Sequence, residues 1–198
     1  MAQKHRHVHQ YELDKWRMFA QYISTYDTWK SKSPQWRDSQ SVTQGVLFFG
    51  IGDMLRMARE KFDLDLIYSI GKRWNSRIYN KVRSVSEKAW IRKYCGLSIA
   101  FVNNTEKLTS ELGDELGKSH DLVVIYYVTL ESGTPNVVCS LRTRSNFDTT
   151  QVSFPMGGGG HKPSSGFMVE LGSMNLMSVF DKIEELALAS MIKTVIES

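Results

Sequence analysis

The sequence predicts an α/β (α+β) fold, in which an N-terminal helical region precedes a mixed β-sheet domain flanked by helices. Two observations support this prediction. Up to about residue 94, apolar residues recur three and four positions apart, which is the spacing of one helix face. From Leu97 onward, short runs rich in β-branched residues alternate with turns and helical stretches. We therefore expect a helical region over residues 1–94 and a sheet domain over residues 95–198.

The N-terminal region contains three stretches with helical spacing. They cover residues 11–23, 46–62 and 64–94, and the polar segment 31–44 between the first two is predicted as a loop. Basic residues are frequent in the third stretch, and they are Lys72, Arg73, Arg77, Lys81, Arg83, Lys88, Arg92 and Lys93. Two interpretations stay open for them: a solvated helix face, or a positive wall beside a ligand cleft.

The C-terminal region alternates between strand and helix patterns. We expect strands over 97–102, 121–130, 137–144 and 167–171, a hairpin turn over 131–136, and helices over 105–118 and 175–196. Thr105 is the expected cap of the first of these helices. This order of elements implies a mixed sheet with helices packed on it.

The composition is typical of a soluble globular chain, with 41% apolar and 23% charged residues. The net charge of +4 is compatible with an anionic ligand and is far from that of a polybasic nucleic-acid coat. Cys95 and Cys139 are widely separated, which argues against a disulfide framework or a zinc knuckle and favours an intracellular, reducing compartment such as cytoplasm or an organelle matrix. No apolar run is long enough for a membrane span, so we expect no membrane insertion.

Four consecutive glycines, Gly157 to Gly160, stand directly before His161. Glycines have no side chain to bury, so such a run needs a backbone reason. One reason is an anion site, because bare peptide N–H groups can close around a phosphate. The alternative is a flexible surface loop. A β-branched run ending in Arg142 and Arg144 precedes the loop, and an apolar run beginning at Phe167 follows it, so the loop is anchored at both ends.

The sequence Ser-Leu-Arg ending at Arg142, followed after about fifteen residues by Gly-Gly-Gly-Gly-His and then Ser-Gly-Phe, resembles the C-terminal substrate-binding domain of DHH phosphoesterases. That family includes RecJ-type exonucleases, nanoRNases and adenosine bisphosphate phosphatases, in which the arginine and the glycine-histidine loop grip the phosphate and sugar of the substrate. The resemblance implies a phosphate or nucleotide site made of Arg142, Gly158, Gly159, Gly160 and His161, with Arg144, Lys162 and Ser165 as accessory residues.

The segment from Tyr22 to Trp29 is similar to the start of the helical connector that follows the catalytic domain in this family. The family's catalytic half carries an Asp-x-Asp and an Asp-His-His, which hold two manganese ions. This chain has no Asp-His-His. The resemblance therefore implies no metal site and no cofactor in this chain alone, and manganese only where a separate chain supplies a catalytic half.

Two other sets of potential metal ligands have simpler explanations. In a strand, His5, His7 and His9 would share one face and could gather around a metal, but we favour a solvated arm. Asp63 and Asp65 suit a helix start, where acids complement the helix dipole. Pro155, just before the glycine loop, disfavours the short helix that the family usually has there.

Three functions follow from the sequence. The first is a noncatalytic module that binds the phosphate of a nucleotide or of a nucleic-acid end, and that once belonged to, or pairs with, a separate DHH catalytic chain. The second is a structural subunit of a larger protein complex that uses a degenerate DHH-phosphoesterase scaffold, a role that exposed tryptophans such as Trp29, Trp36 and Trp90 would favour. The third is an active metal-dependent phosphoesterase, for which the sequence offers the fewest ligands.

Overall fold

The computed structural model describes residues 2–28, 30, 32–94, 96–131, 133–172 and 174–197, and describes the side chains of these residues except at 2–9, 194, 195 and 197. Trp29, Cys95 and the side chains of the three N-terminal histidines therefore lie outside the described part. The chain divides into two compact units, Met1–Asn80 and Lys81–Ser198.

The first unit is helical. It contains α1 (Ala2–Asp27), α2 (Trp36–Glu60) and most of α3 (Leu64–Ser86). The predicted loop over residues 31–44 is wrong from Trp36 onward. Its polar residues fit inside a helix because the Ser39 and Ser41 hydroxyls donate to the carbonyls of Trp36 and Arg37 on the preceding turn. The backbone of His5 to His9 is helical and not extended, so the three positions do not share one face: positions 5 and 9 fall on one side of the helix and position 7 on the other.

Two glycines bring α2 and α3 into backbone contact. A Cβ added at Gly45 would lie 2.1 Å from the Ile67 carbonyl oxygen, and one added at Gly71 would lie 1.6 Å from the Ser41 carbonyl oxygen. The buried residues of this unit's core are Val42, Phe62, Leu64 and Ile67. Asp63 begins α3 as expected of an acid at a helix start, since its Oδ1 accepts from the Leu66 N–H at 2.9 Å.

The second unit is a six-stranded mixed sheet with helices on both faces, which confirms the predicted fold class. Its strands are β1 (Trp90–Tyr94), β2 (Leu97–Asn103), β3 (Leu122–Glu131), β4 (Thr134–Arg142), β5 (Gly159–His161) and β6 (Ser164–Glu170), and its helices are α4 (Thr109–Leu116), α5 (Thr150–Ser153) and α6 (Leu176–Glu197). The strand order is β1-β2-β3-β4-β6-β5, and β2 and β3 are parallel while the other pairs are antiparallel.

Several predicted boundaries are corrected. The helix predicted over residues 64–94 ends at Ser86, and Trp90–Tyr94 forms an edge strand paired with β2. Thr105 does not cap α4, because Asn104 Oδ1 accepts the Leu108 N–H instead. Pro135, expected in the hairpin turn, lies within β4 opposite Leu130.

The two sheet faces carry different helices. Alternate residues of a strand point to opposite faces, so the face of Leu141 and Cys139 is opposite to that of Arg142 and Ser140. The first face holds the main core with α5 and α6, whose buried residues are Leu97, Ile99, Phe101, Leu122, Val124, Val137, Cys139, Leu141, Val152, Phe167, Val179, Phe180, Ile183 and Ala187. On the second face, α4 packs on β3 and β4. Among the described residues, no helix is long and apolar enough to cross a membrane.

Candidate functional site

The register of three strands brings Arg142 and His161 onto one face of the sheet. Arg142 at the end of β4 is opposite Ser164 in β6, and Ser164 is opposite His161 in β5. Directly opposite residues of antiparallel strands project to the same face. The three side chains therefore form one row across β4, β6 and β5, spanning about 10 Å at the usual strand separation.

The Arg142 side chain is half-buried over α4. Its aliphatic stem covers Gly113, where an added Cβ would lie 2.6 Å from Arg142 Cγ. Its Nη1 donates to the Leu141 carbonyl at 2.9 Å and, at 3.5 Å, reaches the Ser165 carbonyl. Burial lowers the pKa of Arg142, yet an arginine stays protonated at neutral pH. Among the described residues, no carboxylate lies within ion-pair distance of this guanidinium.

Arg144 is in a different situation. Its Nη1 lies 2.9 Å from Asp114 Oδ1 in α4, so a carboxylate already balances its charge. Its stem packs over Gly117. The structure therefore places the two arginines of this strand end beside the same helix, one with a countercharge and one without. The accessory role of Arg144 stays a prediction.

The first half of the glycine loop is closed onto α5. The Met156 and Gly158 N–H groups both donate to the Ser153 carbonyl, at 3.2 and 2.8 Å, and the Gly157 N–H donates to the Phe154 carbonyl at 3.0 Å. Gly157 has φ +77°, which favours glycine in this turn. These three N–H groups have internal partners, so they do not form the open anion cradle that the run of glycines suggested.

The second half of the loop forms β5 at the edge of the sheet. Successive residues of an antiparallel strand direct their N–H groups alternately to the partner strand and away from it. An edge strand therefore presents a row of N–H and C=O groups beyond the sheet. In this loop, β5 is the part that can offer backbone donors to a ligand.

The packing around the loop requires glycine at some of its positions and not at others. A Cβ at Gly158 would lie 2.1 Å from the Gly166 carbonyl oxygen, and one at Gly160 would lie 2.5 Å from Ser165 Cα. Close packing on β6 therefore explains both. At Gly159, an added Cβ would meet nothing nearer than Phe154 Cε1 at 3.9 Å, which is ordinary contact. The fold leaves space at Gly159, next to the row that contains Arg142.

The hairpin between β5 and β6 is held from both sides. The Thr149 N–H donates to the Lys162 carbonyl at 2.9 Å, and the Thr143 N–H donates to the Pro163 carbonyl at 3.1 Å. Thr149 Oγ1 also donates to the His161 carbonyl. These bonds fix the backbone that carries the exposed His161 ring.

The structure separates Lys162 and Ser165 from the Arg142 row. Lys162, at the hairpin turn, lines a cleft of about 560 Å³ whose other walls include Phe147 and Met191. Ser165 is opposite Leu141, so its side chain projects to the other sheet face, where it is 6% exposed. Its hydroxyl has no hydrogen-bond partner among the described residues. The structure thus does not bring the Ser165 side chain together with Arg142.

Sequence reasoning missed two contributors to this site. Gly113 supports the aliphatic stem of Arg142. The sequence signal for this contact was a glycine inside the predicted helix 105–118. A glycine within a helix costs about 1 kcal/mol, so it indicates close packing. Ser164 joins the row through strand register, which depends on pairing between distant segments. Pro155 is compatible with the short helix α5, because α5 ends at Ser153, two residues earlier.

Potential metal ligands do not cluster among the described residues. Among them, no group of three or more His, Cys, Asp or Glu side chains could hold a metal ion.

No family model matches the chain, and no curated protein matches it. Among solved structures, it is similar to a pGpG-specific phosphodiesterase from Vibrio cholerae, with 12% identity, a TM-score of 0.46, and coverage of 79% of this chain and 57% of that one. An exopolyphosphatase-related protein from Bacteroides fragilis has 15% identity, a TM-score of 0.44 and coverage of 72% and 43%. An uncharacterized protein from Helicobacter pylori has 18% identity, a TM-score of 0.39 and coverage of 85% and 53%. The chain therefore spans about half the length of these proteins.

Proposed function

We propose that the chain is a noncatalytic module that binds the phosphate of a nucleotide or of a nucleic-acid end on the sheet face of Arg142 and His161. The observation that carries the proposal is the half-buried Arg142 guanidinium, which has no carboxylate partner among the described residues. Burying a charge without a partner is unfavourable. A phosphate would supply the missing negative charge.

The chemistry of the surrounding groups supports a phosphate rather than an apolar ligand. The planar guanidinium can donate to two phosphate oxygens at once. Gly159 leaves open space where a ligand can approach the backbone of β5. His161 lies in the same row and can add a donor, most strongly in its protonated form.

The proposal assigns no hydrolysis to the chain alone. Metal-dependent hydrolysis of phosphate esters needs several convergent ligands, and the described residues offer no such cluster. A separate DHH catalytic chain, with its own manganese, would be the partner that turns binding into catalysis. Incubation with manganese and a dinucleotide tests this directly, and turnover by the purified chain would contradict it.

Isothermal titration calorimetry with adenosine monophosphate, and with adenosine as the uncharged control, tests the binding site. Arg142→Ala should weaken monophosphate binding by about 10- to 150-fold, the equivalent of one charge-assisted hydrogen bond. Arg17→Ala is the matched control, since Arg17 is exposed and paired with Asp14. The proposal fails if the wild type binds no monophosphate at millimolar concentration, or if Arg142→Ala binds as well as the wild type.

A second candidate function is that of a structural subunit in a larger protein complex. Large apolar side chains on α2 are exposed, among them Leu47 at 66%, Phe48 at 53% and Ile51 at 82%. They lie on both sides of Gly50, where the backbone of α2 is kinked, and exposed apolar side chains of this size suit contact with another protein. In a pull-down, the affinity-tagged wild-type chain should retain a defined partner protein that the Ile51→Glu variant loses. If both retain the partner equally, these apolar side chains do not support the second function.

A further inference from the structure

We infer that the exposed face of α3 within the first unit binds the backbone of a single-stranded nucleic acid. This surface is separate from the phosphate site proposed above and rests on different residues. The inference therefore stands or falls independently of that site.

The exposed face of α3 is polar and carries cations without acids. With about 100° between successive helical residues, the members of this face fall within an arc of about 140°. The residues of this face are all exposed: Lys72, Arg73, Ser76, Arg77 and Asn80. No Asp or Glu occurs between Leu66 and Asn80. The opposite side of the helix holds the buried Ile67 and Gly71.

The cations of this face differ from two other exposed arginines of the first unit, Arg17 and Arg56. Arg17 and Arg56 are each paired with an aspartate three residues earlier, at 3.0 and 2.9 Å. Within the described part of the chain, no carboxylate lies at ion-pair distance from Lys72, Arg73 or Arg77. Their charges therefore remain available to an external anion.

The net positive charge of the chain comes from the same unit. Met1–Asn80 holds 13 of the 25 basic and 8 of the 21 acidic residues, a net charge of +5, whereas the remainder has a net charge of −1. A positive unit attracts a polyanion over a longer range than any single pair does.

Two aromatic side chains border the basic face. Trp74 is 38% exposed on one side, and Tyr79 is 60% exposed on the other. The Arg77 guanidinium lies 5.5 Å from the centre of the Trp74 ring. Proteins that bind single strands combine a cationic track with aromatic rings on which bases stack. A helix that lies on a lipid surface would instead need large apolar residues along its bound face, and here Ser76 and Asn80 occupy those positions.

Fluorescence anisotropy of the full chain with a labelled oligothymidylate, over a series of sodium chloride concentrations, tests the inference. Each phosphate contact in a single strand contributes about 0.7 to the slope of log affinity against log salt. The variant Lys72→Ala/Arg73→Ala/Arg77→Ala should therefore lower that slope by about 2.

Two further variants separate the effect of this surface from that of general charge, and a melting measurement checks folding. Arg17→Ala/Arg56→Ala/Lys182→Ala removes the same number of charges from residues that have carboxylate partners, and should keep the wild-type slope. Lys72→Arg/Arg77→Lys retains the charges and should also keep it. Circular dichroism melting checks that every variant is folded.

The aromatic border is tested with matched tyrosines. Tyr79→Ala should weaken oligonucleotide binding by about tenfold or more through lost stacking, while Tyr11→Ala, also an exposed tyrosine of this unit, should not. The inference is overturned if both triple variants have the wild-type slope. It is also overturned if the α3 triple variant loses binding only to vesicles containing phosphatidylserine, or if Arg142→Ala alone abolishes oligonucleotide binding.

Discussion

Gly158 and Gly159 are adjacent, but alanine should affect them in opposite ways. An alanine Cβ at Gly158 would lie 2.1 Å from the Gly166 carbonyl oxygen and 2.5 Å from Phe167 Cβ. Ordinary carbon–oxygen contacts are about 3.3 Å or longer, so β6 or the loop must move by roughly 1 Å. Overpacking of this kind costs about 1–3 kcal/mol, and we expect Gly158→Ala to lower the free energy of unfolding by at least that amount.

At Gly159 the same change meets open space. The nearest atom to the added Cβ is Phe154 Cε1 at 3.9 Å, and the backbone is outside the left-handed region. Alanine restricts the unfolded chain more than glycine does, so Gly159→Ala should stabilise the protein by about 0.4–1 kcal/mol. If a phosphate approaches the backbone here, Gly159→Val should nevertheless weaken adenosine monophosphate binding.

Urea denaturation followed by far-ultraviolet circular dichroism measures the free energy of unfolding of each variant. Calorimetry measures the affinity for adenosine monophosphate on the same samples. Hydrogen exchange of the β6 amides shows whether the Gly158 change acts where the packing predicts. Wild-type stability in Gly158→Ala would refute the packing argument. Unchanged monophosphate affinity in Gly159→Val would refute the argument that this glycine serves a ligand.

Gly113→Ala should destabilise the protein even though alanine gains about 1 kcal/mol in helix propensity, because its Cβ would lie 2.6 Å from Arg142 Cγ; a rise in the urea midpoint would contradict this. Burial raises the pKa of the Cys139 thiol to about 12, so peptide mapping after iodoacetamide treatment at pH 8 should find Cys139 unmodified in the native protein and modified in urea, and native labelling would contradict its burial. The pKa of Tyr94 is raised, chiefly because its hydroxyl donates to Glu184. This contribution is complete below the usual tyrosine pKa of about 10 and is lost as the pH rises through the higher folded value. Tyr94→Phe should therefore flatten the fall in stability at alkaline pH, and an unchanged pH profile would contradict the assignment.

The sheet domain was largely predictable because its strands are short apolar runs separated by clear turn residues. The predicted strand at 121–130 corresponds to β3 at Leu122–Glu131, and the predicted final helix at 175–196 corresponds to α6 at Leu176–Glu197. In both elements the side-chain pattern agrees with the pattern of burial. The α/β architecture followed from their order.

The helical unit was harder to predict, because apolar spacing there does not report burial. Leu55 belongs to the apolar stripe that indicated a helix, yet it is 53% exposed. The close backbone contact between α2 and α3 depends on Gly45 and Gly71, which have no side chains to show in a hydrophobic pattern. The edge strand at Trp90–Tyr94 was assigned to a helix because a five-residue strand gives too little alternation to be distinguished.

The candidate site was predictable in its residues but not in their arrangement. The sequence indicated Arg142 and the glycine loop, while strand register decided that His161 and Ser164 share the Arg142 face and that Ser165 does not. Hydrogen bonds from Met156, Gly157 and Gly158 into α5 also depend on the tertiary structure. Pairing between distant segments of the chain therefore determined which of the predicted residues can act together.

The hydrogen bonds of Thr143 and Thr149 to the β5–β6 hairpin have a kinetic consequence. Both bonds go to carbonyls of the turn, so the backbone beneath His161 is already held in place before a ligand arrives. A preorganised site needs no slow rearrangement on binding and loses little conformational entropy. Stopped-flow mixing with a nucleotide should therefore show one exponential phase, whose rate rises in proportion to ligand concentration and does not reach a plateau.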